Sequence, residues 1–146
     1  MTDLYTILKA HATTLGWKFS YGNAANKNLL ASDRVDGEIY LLLDPITRVT
    51  AFSDNGGEGI KTFTGSFMLL VKSTIDNVYD NQKGQDATDG KYQKNIKPLL
   101  EVDIKLLEDL INCTDYQITN WSIVDVVNAL DVNTDGIIVT YGISVL

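Results

Sequence analysis

The hydrophobic residues change their spacing several times along this chain, and each spacing names an element. Leu4, Ile7, Leu8, His11, Ala12 and Leu15 recur at helical intervals, with Thr2 or Asp3 placed to cap the start and Gly16 to end it. Trp17, Phe19 and Tyr21 then alternate with polar residues, which predicts a short strand or extended arm running into a polar loop. From Glu38 to Asp44 the apolar residues are continuous, the pattern of a strand covered on both faces. Asp44-Pro45 begins a turn, and residues 47–53 read as a weaker strand pairing back on the first. Asp54 to Gly59 is rich in glycine and reads as a flexible connection.

Lys61 to Ser73 carries the strongest strand pattern. Phe63, Gly65, Phe67, Leu69 and Val71 share one face, and Thr62, Thr64, Ser66 and Lys72 share the other. Met68 and Leu70 interrupt the polar face, which predicts that it too is partly covered, by a helix or by another subunit. Residues 74–95 are polar and read as an exposed loop that orders against a partner. Ile96 to Asn112 is the clearest amphipathic helix, with Ile96, Leu99, Leu100, Ile104, Leu107, Leu110 and Ile111 as its apolar stripe. Pro98 falls in its first turn, and Glu101 with Lys105 has the spacing of a favourable ion pair. Two strands close the pattern, from Tyr116 to about Val127 and from Ile137 to Val145, with a bulge or bend expected near 120–125. The order of helix, strands, helix, strands predicts one α+β domain over residues 1–146. It should hold an antiparallel or mixed sheet, with the N-terminal helix and the second amphipathic helix packed on one face.

Composition narrows the function. A chain of 146 residues with 45% hydrophobic residues can bury a full core. A net charge of −7 opposes a nucleic-acid groove, although it suits a passive channel for DNA. Cys113 is the single cysteine, so the chain forms no internal disulfide and no thiolate metal cluster. The N-terminal residues lack the pattern of a signal peptide, and no apolar run reaches the length of a membrane span. A soluble protein of a reducing cytoplasm is expected.

Candidate chemistry is sparse. Asp131, Asn133, Asp135 and Gly136 look like the opening of a calcium loop, but Gly142 stands where its closing glutamate belongs. The alternation of Ile137, Val139, Tyr141, Ile143 and Val145 instead predicts a strand after an Asp-Gly turn. Asp86, Asp89 and Gly90 make a weaker version of the same motif. The 54–59 segment lacks the Lys-Ser/Thr of a phosphate loop. His11 is the sole histidine and has no evident catalytic partner, so a half-buried helix position is the simpler reading. Cys113 reads as a small buried apolar residue. Trp17, Trp121 and the seven tyrosines suit either core packing or a subunit interface. No catalytic, cofactor-binding or metal residues are assigned, and the chain is not expected to be an enzyme.

The strand 38–45, the strand 63–73, the amphipathic helix and the final stretch 128–141, taken in this order behind an N-terminal helix, resemble the tail terminator (tail-completion) proteins of tailed bacteriophages. These are small α+β proteins of the neck and head–tail junction. The resemblance implies a homo-oligomeric ring, six-fold in the usual case, stacked between tail tube and head connector. Its role would be to end tube growth, join tail to head, and leave a lumen through which genomic DNA passes without sequence-specific binding. It implies assembly in the host bacterial cytoplasm and residence in the virion. The alternative from a different class is a monomeric protein-binding or weak calcium-binding module.

Overall fold

The computed structural model describes residues 3–22, 37–72, 92–129 and 134–145. Helix α1 spans Leu4–Thr14. Asp3 caps it, its Oδ2 accepting from the Tyr5 N–H at 3.2 Å. Gly16, at φ +77°, turns the chain off its end, and the Trp17 N–H donates to the Ala12 carbonyl at 2.8 Å. Leu4, Leu8 and Ala12 form its buried stripe.

Six strands form one mixed sheet: β1 (Lys18–Tyr21), β2 (Ile39–Leu43), β3 (Thr47–Phe52), β4 (Glu58–Lys72), β5 (Tyr116–Ala129) and β6 (Thr134–Val145). The order is β1-β2-β4-β6-β5, with β3 also on β4. β1 and β2 are parallel, and every other pair is antiparallel. The α+β class, the mixed sheet and the two packed helices agree with the sequence pattern.

One strand pairing differs from expectation. β3 does not fold back on β2 but pairs with the first half of β4 (Thr47↔Thr64, Val49↔Thr62), while β2 pairs with the second half (Ile39↔Val71, Leu43↔Phe67). The segment Asp44-Pro45-Ile46 therefore interrupts a strand line instead of reversing it. Pro45 has no N–H for the ladder, and Asp44 bridges the gap through its N–H to the Ser66 carbonyl (3.1 Å) and its Oδ2, which accepts from Ser66 Oγ (2.6 Å). The reversal comes later, at 53–57, where the Ser53 N–H donates to Gly57 O and the Gly56 N–H to Ser53 O. Glu58 and Gly59, read as loop, already belong to β4.

The helical stretch begins at residue 92 rather than 96, so the last four residues of the expected polar loop are helical; residues 73–91 lie outside the described residues. It opens with wide π-type turns at Tyr92–Ile96 and Leu99–Asp103, then tightens into helix α2, Ile104–Asn112. Pro98 lies between the wide turns, where its ring and missing N–H disfavour a regular α ladder. Glu101 pairs with Lys97 (3.9 Å) and Lys105 with Glu108 (3.4 Å), in place of the expected Glu101–Lys105 pair.

The core lies between the helices and the inner face of the sheet. Phe63, Phe67 and Leu69 of β4 meet Ile137, Val139, Tyr141, Ile143 and Val145 of β6 there, under Leu8, Leu99 and Leu107. β5 and β6 pair with irregularities at Ile118/Asn120 and Val126/Ala129, which bracket the expected bend. Asp135-Gly136 is not a turn. Both residues sit in β6, opposite Val71 and Leu70, and residues 130–133 lie outside the described residues.

Candidate functional site

Among the described residues, the polar side chains singled out in the sequence do not converge. His11 lies half-buried on α1; its Nε2 is shielded without a hydrogen-bond partner, and burial lowers its pKa. Cys113 is exposed at the C-cap of α2, not buried as expected. The apolar stripe Ile104, Leu107 and Ile111 turns inward, and position 113 falls beyond it. Asp135 is fully buried, and its Oδ2 accepts from Asn95 Nδ2 at 2.8 Å, which ties the first wide helical turn to the start of β6. A carboxylate held this way inside a strand is a structural group. Asp131, Asn133, Asp86, Asp89 and Gly90 lie outside the described residues. Among the described residues no cluster of three or more His, Cys, Asp or Glu side chains forms.

One polar cluster does form where α1 meets β3. Asp3 receives two hydrogen bonds from Arg48, Nε to Oδ1 and Nη2 to Oδ2, both 2.8 Å. Arg48 holds the Asp3 carboxyl below its ordinary pKa. With the side chains 47% and 41% exposed, the pair contributes about 1 kcal/mol at most. A hollow of about 180 Å³ beside it is lined by Asp3, Arg48, Thr50, Lys61 and Phe63 among others, and Lys61 is itself paired with Glu58 at 3.2 Å. Nearby, Tyr141 is buried with its hydroxyl unbonded, and burial raises its pKa. Its ring fills the space a side chain at Gly65 would need: a Cβ there would lie 2.9 Å from the Tyr141 hydroxyl. These groups carry charge and packing but leave no nucleophile beside a base.

The outer face of the sheet, turned away from the helices, is more informative. The register places Leu42, Met68, Ile138 and Val124 in one row across β2, β4, β6 and β5. Their cover fades along that row. Leu42 is 2% exposed, Met68 and Ile138 are half-buried, and Val124 is 59% exposed. Leu70, on the same face, is fully buried. The middle of the face is polar, with Thr62 Oγ1 and Ser144 Oγ 3.4 Å apart. Beyond Lys61, where β6 ends its pairing, the β3–β4 hairpin projects from the sheet. Val49 and Ile60 stand on the outer face, exposed by 55% and 49%, and Phe52, opposite Glu58 further along the hairpin, is 66% exposed.

No family model, curated protein or solved structure matches the chain. The physical reading of the surface therefore stands by itself. The candidate functional site is an apolar outer surface, open along β5 and on the hairpin. Sequence reasoning anticipated half of it, since Met68 and Leu70 marked the outer face as covered. It missed the hairpin. Val49, Phe52 and Ile60 have the residue types of a core strand, yet the structure leaves them exposed.

Proposed function

We propose that this chain is a structural virion protein of tailed bacteriophages, a subunit of a tail terminator or neck ring. In this reading copies assemble, as a hexamer in the usual case, at the head-proximal end of the tail tube. The ring ends tube growth, contacts the head connector, and leaves a lumen for DNA. The observation that carries the reading is the exposure of the apolar side chains Val124, Val49, Phe52 and Ile60 on the sheet of a chain of net charge −7. Exposed apolar patches on an otherwise acidic, soluble surface mark protein contacts. The helix–strand–helix–strand order behind the resemblance supports it further, and the acidic balance suits a lumen that repels phosphates.

Native mass measurement with negative-stain microscopy tests the proposal. The expected particle is a ring with a central hole and a mass near that of six 16.1 kDa chains. It should also bind the end, not the side, of tail tubes. A particle that stays monomeric at every concentration, with and without tubes, overturns it.

A further inference from the structure

Among the described residues three strands are paired on one side only: β1, β3 and β5. β1 has four residues and a lysine, and β3 has six residues and an arginine. Short, basic edges resist a passing strand. β5 has 14 residues, no lysine, arginine or proline, and a single charge, at Asp125. The register tells which of its amides are open. The Asp44 N–H reaches the Ser66 carbonyl, so Ser66, Met68 and Leu70 turn their peptide groups toward β2, while Gly65, Phe67 and Leu69 turn theirs toward β6. Carried across the sheet, Gly136, Ile138 and Thr140 face β5, where Val126, Val124 and Ser122 meet them. Trp121, Ile123 and Asp125 therefore point their N–H and C=O groups away from the sheet. The outward amides nearer the start of the strand are occupied: Tyr116 donates to Thr114 Oγ1 (3.1 Å) and Ile118 to Asn112 Oδ1 (3.4 Å). No acceptor among the described residues meets the amides of Trp121, Ile123 and Asp125.

We propose that β5 pairs antiparallel with β5 of a second copy, across a two-fold axis that passes through the sheet at Ile123. The inference goes beyond the ring reading and does not depend on it: such pairs can stand alone, and three of them can close a six-membered ring. Three observations select a second copy as the occupant. First, the open groups are symmetric about Ile123. With the axis there, Ile123 exchanges both hydrogen bonds with its own counterpart, and Trp121 and Asp125 exchange theirs with Asp125 and Trp121 of the second copy. Every open rung is matched and none is left over. Second, an axis perpendicular to the sheet keeps inner face with inner face. Val124, 59% exposed, then lies beside Ser122 of the second copy and diagonal to its Val124, so each gains apolar cover. Third, the chain has 12 basic and 19 acidic residues, so copies repel wherever charged surfaces meet. This strip is uncharged apart from Asp125, and the register sends the two Asp125 residues to opposite ends, roughly 14 Å apart along the strands.

The test uses the full-length chain. Asp125→Pro removes an amide that faces outward and leaves the ladder to β6 intact, a placement that proline tolerates at an edge. Asp125→Asn removes the charge alone. The wild type and Asp125→Asn are expected to sediment as dimers or multiples of dimers, and Asp125→Pro as a monomer with an unchanged circular dichroism spectrum. Cross-linking supplies a readout that does not depend on the proline. In a Cys113→Ser background, Ile123→Cys places two thiols across the axis with Cα atoms about 5.5 Å apart, within disulfide range, whereas Asp125→Cys keeps them too far apart. Mild oxidation should link the first variant and not the second. Equal linking of both, or a folded Asp125→Pro that keeps the wild-type mass, overturns the proposal. If the wild type forms a ring in which the amides of 121, 123 and 125 exchange as fast as in the monomer, the pairing is wrong while the ring reading stands. If it stops at a dimer linked through Ile123→Cys, the pairing stands and the ring reading falls. Protection of 121–125 that appears only when tail tubes are added gives the edge to another protein and overturns the pairing. A monomer under every condition overturns both.

Discussion

Gly136 is the position where the smallest added group does the most harm. It stands in β6 between Leu70 on β4 and Val126 on β5. A Cβ built there runs into the Leu69 carbonyl oxygen and lies 2.9 Å from that carbonyl carbon and 3.0 Å from the Leu70 Cα. All three obstacles are backbone in the central ladder, so no side chain can rotate aside. Relief requires β4 and β6 to separate locally. Overpacking of this kind costs about 1–3 kcal/mol, and each ladder hydrogen bond loosened adds about 1 kcal/mol. A total near 3 kcal/mol in Gly136→Ala corresponds to a fall in melting temperature of roughly 10 °C for a domain of this size. Gly142→Ala is the control. Its Cβ would meet the Thr119 Oγ1 at 3.0 Å and the Asn120 Cβ at 3.2 Å, both side-chain atoms on the edge strand that can shift. It should cost about 1 kcal/mol. Thermal unfolding followed by circular dichroism measures both. A Gly136→Ala protein that melts with the wild type, or above Gly142→Ala, refutes the claim that β4 and β6 are held at closest approach there.

Three other expectations follow from buried polar groups. Burial lowers the His11 pKa below that of an ordinary histidine, so the folded state disfavours the proton. The stability of its neutral form is complete above the unfolded pKa and is lost as pH falls through the folded one. Melting curves from about pH 7 to about pH 5 should therefore slope less for His11→Leu than for the wild type; equal slopes would show that His11 is solvated. Asn95→Ala removes the 2.8 Å bond to buried Asp135 and should cost about 1–3 kcal/mol. Hydrogen exchange should rise in 92–103 before it rises in β6, and uniform loosening of the whole chain would contradict a local tie. Millimolar calcium should leave the melting temperature where it is, because the Asp135 carboxylate is buried and accepts from Asn95. A rise of several degrees would restore the calcium-binding alternative.

Much of the fold was legible because the side-chain period of a strand is two. Phe63 to Val71 and Ile137 to Val145 announced their inner faces, and α1 announced its caps. The misreadings have local causes. Asp44-Pro45 has turn chemistry, yet proline also tolerates a break within a strand line, and nothing in residues 47–52 states which half of β4 they join. Tyr92-Gln-Lys-Asn95 shows no apolar period, since Asn95 turns inward to a carboxylate forty positions away. Asp135-Gly136 has the chemistry of a hairpin turn, but the glycine serves close packing between strands instead. The candidate surface was the hardest part. Exposure of Phe52 or Val124 depends on what fails to cover it, and that is a property of the sheet's outline rather than of any sequence window.

The placement of β6 bears on how the molecule is made. This strand pairs with β4 along twelve positions on one side and with β5 on the other, yet it follows both in the chain. Lys61 meets Val145 across a gap of more than eighty residues. Until 134–145 arrive, the two halves of the sheet have nothing to join them, and apolar β4 presents a naked flank. Pairings this distant form late and slowly. A nascent chain therefore waits in a sticky, incomplete condition, and synthesis at high local concentration would favour premature clumping at that stage over any later one.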